Sequence, residues 1–515
     1  MDKQKDRALK KLDIEIDKGV EILIAETKKT TLSELLYWFF LLHLNRVIGI
    51  SMDLLPQGIS ENAIKKTSAL SDETIKYLIQ LNVKYGRKFL PGINDTLIYN
   101  KGSIEYLFKN GNLLNTKYDM RSMIGLFDVS VHGNRDKYVK VDMSAVKTDP
   151  DIKKFFDYFV RIDKDNFNKV LSKKNYVQLL DDFKNEYLEH DDLFQKTFKI
   201  SLRKFIKLYT FLLETIKDKW TKVESSLPRM DNGNVDVLGP NAFESFSDAF
   251  IFDVESIKLH FGKAAIDVIH QFTFQPEEYD ERELRFHRVT RCPFIKVADD
   301  LLMVSPELLL DSLFLNIHFC FLEGPKDIKE EYKKRCSEKF INEIAMAASK
   351  VNFVEVNRGV DLYEGKRTLG DIDIVLKNDK DEFLLIEAKN HALPLNVYFK
   401  DIEEVNKHLI TLREEWEKKV LARYAHIGKF REEYGIGSNY KYIVVSRFPE
   451  IISHYSDLVV LSFYEFVNYI SDGFNKMDFN DVYARLYSFD SELTERDMIL
   501  LQEEGHYLMS KLLIG

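Results

Sequence analysis

From Met1 to about Lys222, charged and apolar residues recur at helical spacing, as in FFDYFVRIDKDNFNKVLSKKNYVQLLDDFKNEYLEH and SLRKFIKLYTFLLETIKDKW. The pattern predicts a mostly α-helical N-terminal region. Its most apolar run, LLYWFFLLHL at 35–44, has no polar face. That run is about half the ~20 residues a membrane span needs, so a buried helix is expected. Thr31 and Glu34 stand as a capping box at its start. The helical pattern lapses at 225–241, SSLPRMDNGNVDVLGPN, where Pro, Gly, Asn and Asp gather as in a linker.

Past the linker the spacing shortens. FIKV and LLMV read as two strands of a hairpin across Ala298 and Asp299, and Ser305-Pro306-Glu307 as a helix start with Ser as cap. From 327 to 471 the predicted order is a helix (EEYKKRCSEKFINEIAMAASKV), the strands FVEVN, DIDIVL and FLLIEAK, and a long helix from Val397 to about Tyr434. The strands KYIVVSR and DLVVLS follow, then a helix FYEFVNYI capped by Ser462 and Glu465. This is an α/β layer arrangement with a mixed sheet. The expected organisation is a helical domain at 1–224, a small mixed α+β adaptor at 242–326, an α/β domain at 327–475 and a helical extension at 476–515.

Composition adds limits. At 515 residues, with 45% hydrophobic and 30% charged residues, the chain has material for several packed cores. Its net charge of -9 argues against coating nucleic acid by whole-molecule attraction, so a polyanion partner must meet a local basic surface or bound cations. Cys292, Cys320 and Cys336 are odd in number and show no C-x-x-C spacing, which suggests neither a disulfide framework nor a zinc site. With no secretory signal pattern after Met1, a reducing cytoplasm is the expected location. No G-x-x-x-x-G-K-[ST] loop or G-x-G-x-x-G is present, so no built-in NTPase or dinucleotide site is expected.

One stretch carries chemistry. GDIDIVLKNDKDEFLLIEAKN, at 370–390, sets Asp371, Asp373, Glu387 and Lys389 among Ile, Val, Leu and Phe. Strand alternation puts Asp371 and Asp373 on one face and Ile372, Ile374 and Leu376 on the other. An antiparallel hairpin with its turn centred on Lys380 sets Asp373 directly across from Glu387. Two carboxylates that close repel, raising one pKa or demanding a cation between them. Mg²⁺ suits such a pair, since it takes hard oxygen ligands, keeps several waters and is often held by one or two carboxylates plus a substrate phosphate. The plainer alternative is a solvated sheet face with a Glu–Lys pair.

The residues Gly370-Asp371-Ile372-Asp373 and Glu387-Ala388-Lys389, on consecutive strands after a helix, resemble the PD-(D/E)XK nuclease superfamily, the restriction-endonuclease-like fold. The resemblance spans about 140 residues, 331 to 471, and says nothing of the first 325. It implies a restriction-endonuclease-like C-terminal domain in which Asp373, Glu387 and Lys389 are catalytic. Asp373 and Glu387 would bind Mg²⁺ or Mn²⁺ with Glu338; Glu343 competes for that helix position, and Asp371 is an alternative ligand. The chain departs from the family at Gly-Asp-Ile-Asp in place of Pro-Asp, and lacks the Gln-x-x-x-Tyr of the exonuclease branch after Asn390. The implied activity is a metal-dependent endonuclease with DNA as favoured partner, in the manner of a prokaryotic restriction or phage-defence effector. Its alternatives are a ribonuclease using the same site, or a nucleic-acid-binding scaffold that has lost turnover. The N-terminal half would then serve recognition, regulation by a protein partner or activating signal, or homo-oligomerisation.

Basic residues elsewhere divide between phosphate contacts and internal pairing. In the long helix Lys407 and Arg413 are the candidates for phosphate contact, because most other cations there are balanced by glutamates. Arg282, Arg285, His287, Arg288 and Arg291 form a denser cluster. Arg285 and Arg288 are candidate nucleic-acid contacts, with Glu277, Glu278, Glu281 and Glu283 as competing partners. His391, following Lys389 and Asn390, is a further candidate for the site, with a structural or solvated loop residue as the favoured reading.

Overall fold

The computed structural model describes residues 3–50, 61–88, 99–126, 130–133, 139–142, 153–155, 157–159, 161–162, 176–226, 242–282, 287–390, 395–398, 401–471 and 478–487. Within these, the chain falls into two compact units, one from 3–8, 122–172 and 330–492, the other from 9–121 and 173–329. The protein is mostly helical, with a mixed five-stranded sheet flanked by helices toward the C-terminus. No helix of the described residues is long and apolar enough to cross a membrane.

The helical unit draws on α1 (Lys3–Thr27), α2 (Leu32–Ile50), α3 (Glu61–Tyr85) and α4 (Lys101–Leu126). The apolar run at 35–44 lies in α2 and is buried on nearly all sides, as a helix without a polar face must be. Its start is capped as expected: the Thr31 N–H donates to the Glu34 carboxylate at 2.6 Å and the Ser33 N–H to the Thr31 hydroxyl at 3.2 Å. Phe243, Phe246, Phe250, Ile295, Met303 and Leu308, from the 242–326 segment, belong to the same core as Trp38, Phe40 and Leu78. The expected hairpin forms from β4 (Phe294–Lys296) and β5 (Leu301–Val304), and β3 (Ile251–Asp253) adds a third strand against β5. The Ser305 hydroxyl caps the helix Pro306–Glu323 by accepting the Leu308 N–H. The linker expected at 225–241 lies outside the described residues from 227 onward, as does the C-terminal extension beyond Tyr487.

The other unit is built on the five-stranded sheet. Its strands are β6 (Val354–Glu364), β7 (Arg367–Lys377), β8 (Phe383–Lys389), β9 (Tyr440–Ser446) and β10 (Val459–Ser462), in the order β10-β9-β8-β7-β6. β6, β7 and β8 are antiparallel, while β8, β9 and β10 run parallel. All five predicted strands are present, but β6 and β7 extend well past the predicted FVEVN and DIDIVL. Pairing continues to Glu364 opposite Arg367 around Gly365, whose φ of +62° suits a tight turn. β6 is exposed along most of both its predicted and its added length, with Leu362 of the added part buried, and register shifts at Glu355/Asn357 and Leu362/Tyr363 break the period-2 pattern that would have marked the extension. A short hairpin, β1 (Ser130–Gly133) with β2 (Val139–Asp142), interrupts the region read as helical, and the Val139/Val141 alternation is its sequence sign.

The two faces of the large sheet carry different chemistry. Ile374, Leu376, Leu384, Ile386, Ile443 and Val445 pack against Phe340, Ile344 and Ala348 of the helix Lys326–Ser349 and Phe466 of the helix Phe463–Ser471. The opposite face carries Asp373, Glu387 and Tyr442 and meets the helix Lys418–Phe430.

A buried ion pair ties the 153–162 helical segment to this unit. Arg161 makes two 2.7 Å bonds to Glu465, and both side chains are almost wholly buried. The Glu465 carboxyl is pushed up by burial but held below its usual range overall by Arg161. Arg161 also donates to the Glu450 carbonyl and to His454 Nε2 at 3.1 Å, and burial with the Arg161 charge drives His454 down to about 2, so it accepts as a neutral ring. Glu465 thus serves twice, since it also closes the capping box predicted with Ser462. Removing one partner leaves an uncompensated buried charge. Arg161→Ala should therefore cost about 3–5 kcal/mol in urea unfolding, and the joint change Arg161→Met with Glu465→Leu should recover most of it. A loss under about 1 kcal/mol for the single variant would contradict this role.

Candidate functional site

The β7–β8 register is the one expected from the sequence: Ile374, Val375, Leu376 and Lys377 face Ile386, Leu385, Leu384 and Phe383. The turn is fixed by Asn378, whose side-chain oxygen accepts the N–H groups of Lys380 and Glu382, each at 3.0 Å, while Asp381 takes a positive φ. One step beyond the paired residues lies Asp373, whose carboxylate accepts the Ala388 N–H at 2.6 Å. Asp373 and Glu387 therefore meet across adjacent strands. Burial, then the charge of Glu387, pushes the Asp373 carboxyl up from its ordinary range to about 6.

Glu387 is enclosed, with its side chain 1% exposed. Its Oε1 accepts Arg423 Nη1 at 2.5 Å and the Tyr442 hydroxyl, and its Oε2 faces Lys389 Nζ at 3.2 Å. Burial, then the Glu387 charge, raises the Tyr442 phenol far above its usual value, which keeps it a donor. Tyr442 reaches Glu387 because β9 runs parallel to β8 with Tyr442 beside Leu385, on the face that Glu387 shares. Arg423 comes from the helix Lys418–Phe430, and its Nη1 also donates to the Asp371 carbonyl at 2.7 Å. Gly370 lies beneath that guanidinium with φ of +100°, a backbone that L side chains rarely adopt.

The structure brings Asp373, Glu387 and Lys389 together and keeps Glu338 apart from them. The helix bearing Glu338 packs on the Ile374/Ile386 face, whereas the carboxylate pair projects from the other. Glu338 is exposed and interacts electrostatically with Arg358. Glu343 accepts Arg447 Nη1 at 2.6 Å, and Arg447 in turn donates from Nε to Asn390. Asp371 is exposed beside Asp361 on β6. Among the described residues, no group of three or more His, Cys, Asp and Glu side chains is arranged to hold a metal ion. The centre is a two-carboxylate site.

The basic candidates lie elsewhere. Lys407 is exposed and pairs with Glu404, and Arg413 stacks over the Tyr455 ring at 5.1 Å. In the helical unit Arg288 pairs with Glu278, Arg291 with Glu323, and His287 with Glu73, so these three members of the cluster are internally paired. Arg285 and His391 lie outside the described residues. Tyr442 was missed in the sequence although its place in KYIVVSR sets it on the Glu387 face. Arg423 was hidden among the balanced charges of the long helix.

No family model, curated protein or solved structure matches this chain. What the site can do rests on its own geometry.

Asp373 has a stability signature. With its folded pKa raised, the folded state holds a proton that the unfolded state gives up, so metal-free stability falls as pH climbs from about 4 to about 6, by roughly 3 kcal/mol at most. Asp373→Asn should flatten that slope in urea titrations of EDTA-treated protein. An unchanged slope would show that Asp373 ionises freely.

Proposed function

We propose that the sheet unit is a metal-dependent phosphodiester hydrolase with a restriction-endonuclease-like core, acting as an endonuclease with DNA as the favoured substrate. The observation that carries this reading is the meeting of Asp373 and Glu387 across β7 and β8, with Lys389 beside them. A pair of close carboxylates, one reluctant to ionise because it is buried beside the other's charge, fits a hard divalent cation such as Mg²⁺ or Mn²⁺ that completes its shell with water and a substrate phosphate. When bound, the cation supplies a polarised water and neutralises phosphate charge. Asp373 and Glu387 would hold it, and the Lys389 ammonium orients the attacking water and offsets charge growing on a phosphate oxygen.

A second reading is a nucleic-acid-binding scaffold with the same core and no turnover. It is favoured by the three partners that Glu387 already has, Arg423, Tyr442 and Lys389.

Cleavage of supercoiled plasmid, linear duplex, single-stranded DNA and RNA with Mg²⁺, Mn²⁺ or EDTA separates the two. Metal-dependent cutting of DNA is expected, with Lys389→Ala slower by about 10²- to 10⁴-fold. Cutting of RNA alone would reassign the substrate, and cutting that survives both EDTA and Lys389→Ala would refute the site.

A further inference from the structure

We propose that Arg423, with Tyr442, is a positioning pair that fixes Glu387 as a single-oxygen ligand, so that the site takes one divalent cation, on Glu387 Oε2 and Asp373. This rests on the metal-dependent reading above.

The hydrogen-bond inventory of Glu387 carries the argument. A carboxylate oxygen has about two lone-pair sites. Both on Oε1 are taken, one by Arg423 Nη1 at 2.5 Å and one by the Tyr442 hydroxyl, whereas among the described residues Oε2 faces Lys389 alone, at 3.2 Å. Arg423 does not move freely: its Nη1 also bonds the Asp371 carbonyl at 2.7 Å, so one guanidinium spans β7 and β8 and fixes the spacing of the two acids. Gly370 beneath the guanidinium supplies the φ of +100° at which the chain passes under Arg423.

Charge sets the number of cations. Asp373 and Glu387 carry two negative charges when ionised, and Arg423 and Lys389 carry two positive ones. With those four charges cancelling, one divalent cation leaves a net +2 that a phosphate diester lowers to +1, whereas a second cation would raise it to +3. Two would leave that larger charge uncompensated in a largely buried site. The arginine stands where a second cation would otherwise engage Oε1.

Calorimetric titration of Mn²⁺ into the full-length chain, beside Arg423→Ala, Arg423→Lys and Tyr442→Phe with a thermal melt of each, tests this. The expected result is one Mn²⁺ per wild-type chain and binding weakened about 10- to 100-fold in Arg423→Ala. Millimolar guanidinium should restore part of that affinity. Arg423→Lys should recover less than guanidinium does, because an ammonium lacks the planar fork. Tyr442→Phe should weaken binding by a smaller factor, with a modest fall in melting temperature that leaves the fold intact. Arg423→Ala binding Mn²⁺ like the wild type, or two Mn²⁺ per wild-type chain, overturns the proposal alone. A loss that guanidinium does not restore, with Tyr442→Phe binding normally, marks a folding role and also overturns it. No Mn²⁺ binding by the wild type overturns the metal-dependent reading itself.

Discussion

The antiparallel register of β7 on β8 is the constraint from which the site follows. It sets Asp373 against the end of β8, within 2.6 Å of the Ala388 N–H and close enough to Glu387 for the two charges to oppose each other. Because strand side chains alternate, a slip of one residue would send Asp373 to the Ile374 side and Ile372 or Ile374 to the polar face. The turn at Asn378, with its paired acceptance of the Lys380 and Glu382 N–H groups, and the core on the Ile374/Ile386 face both hold that register. The hydrophobic core thus fixes where the carboxylates sit.

Charges brought indoors by this register are managed locally. Glu387 is satisfied from two other elements, Arg423 of the covering helix and Tyr442 of β9. Asp373 accepts a backbone N–H, and burial, then the Glu387 charge, raises its pKa despite Lys389 nearby. The same unit contains a fully compensated counterpart in Arg161 and Glu465, where bidentate pairing holds the carboxyl down. The contrast between a closed ion pair and an open carboxylate is why Asp373, and not Glu465, is read as a place for chemistry.

Much of the sheet unit was legible in the sequence, because β8, β9, β10 and the inner half of β7 are buried and written in apolar runs bounded by turn residues. The hairpin register followed from Asn378 to Glu382 at the turn, and with it the Asp373–Glu387 pairing. The extension of β6 and β7 was not legible, since register shifts at Glu355/Asn357 and Leu362/Tyr363 break the alternation along it. Nor was the tertiary origin of Arg423, which looks from the sequence like one more cation on a balanced helix. Glu338 was expected near the metal on the strength of family resemblance, but its helix packs on the opposite face of the sheet. Glu465 was recognised as a cap, while its second role required knowing that Arg161, far away in the sequence, comes to lie beside it. Side chains that act through long-range contacts leave no periodic trace.

The most direct test of the central claim is anomalous diffraction at the manganese edge from crystals of the protein soaked in Mn²⁺. A single peak between the Asp373 carboxylate and Glu387 Oε2, with Arg423 still on Oε1, is the predicted result. Clear density for Asp373 and Glu387 with no peak between them at saturating Mn²⁺ would contradict it.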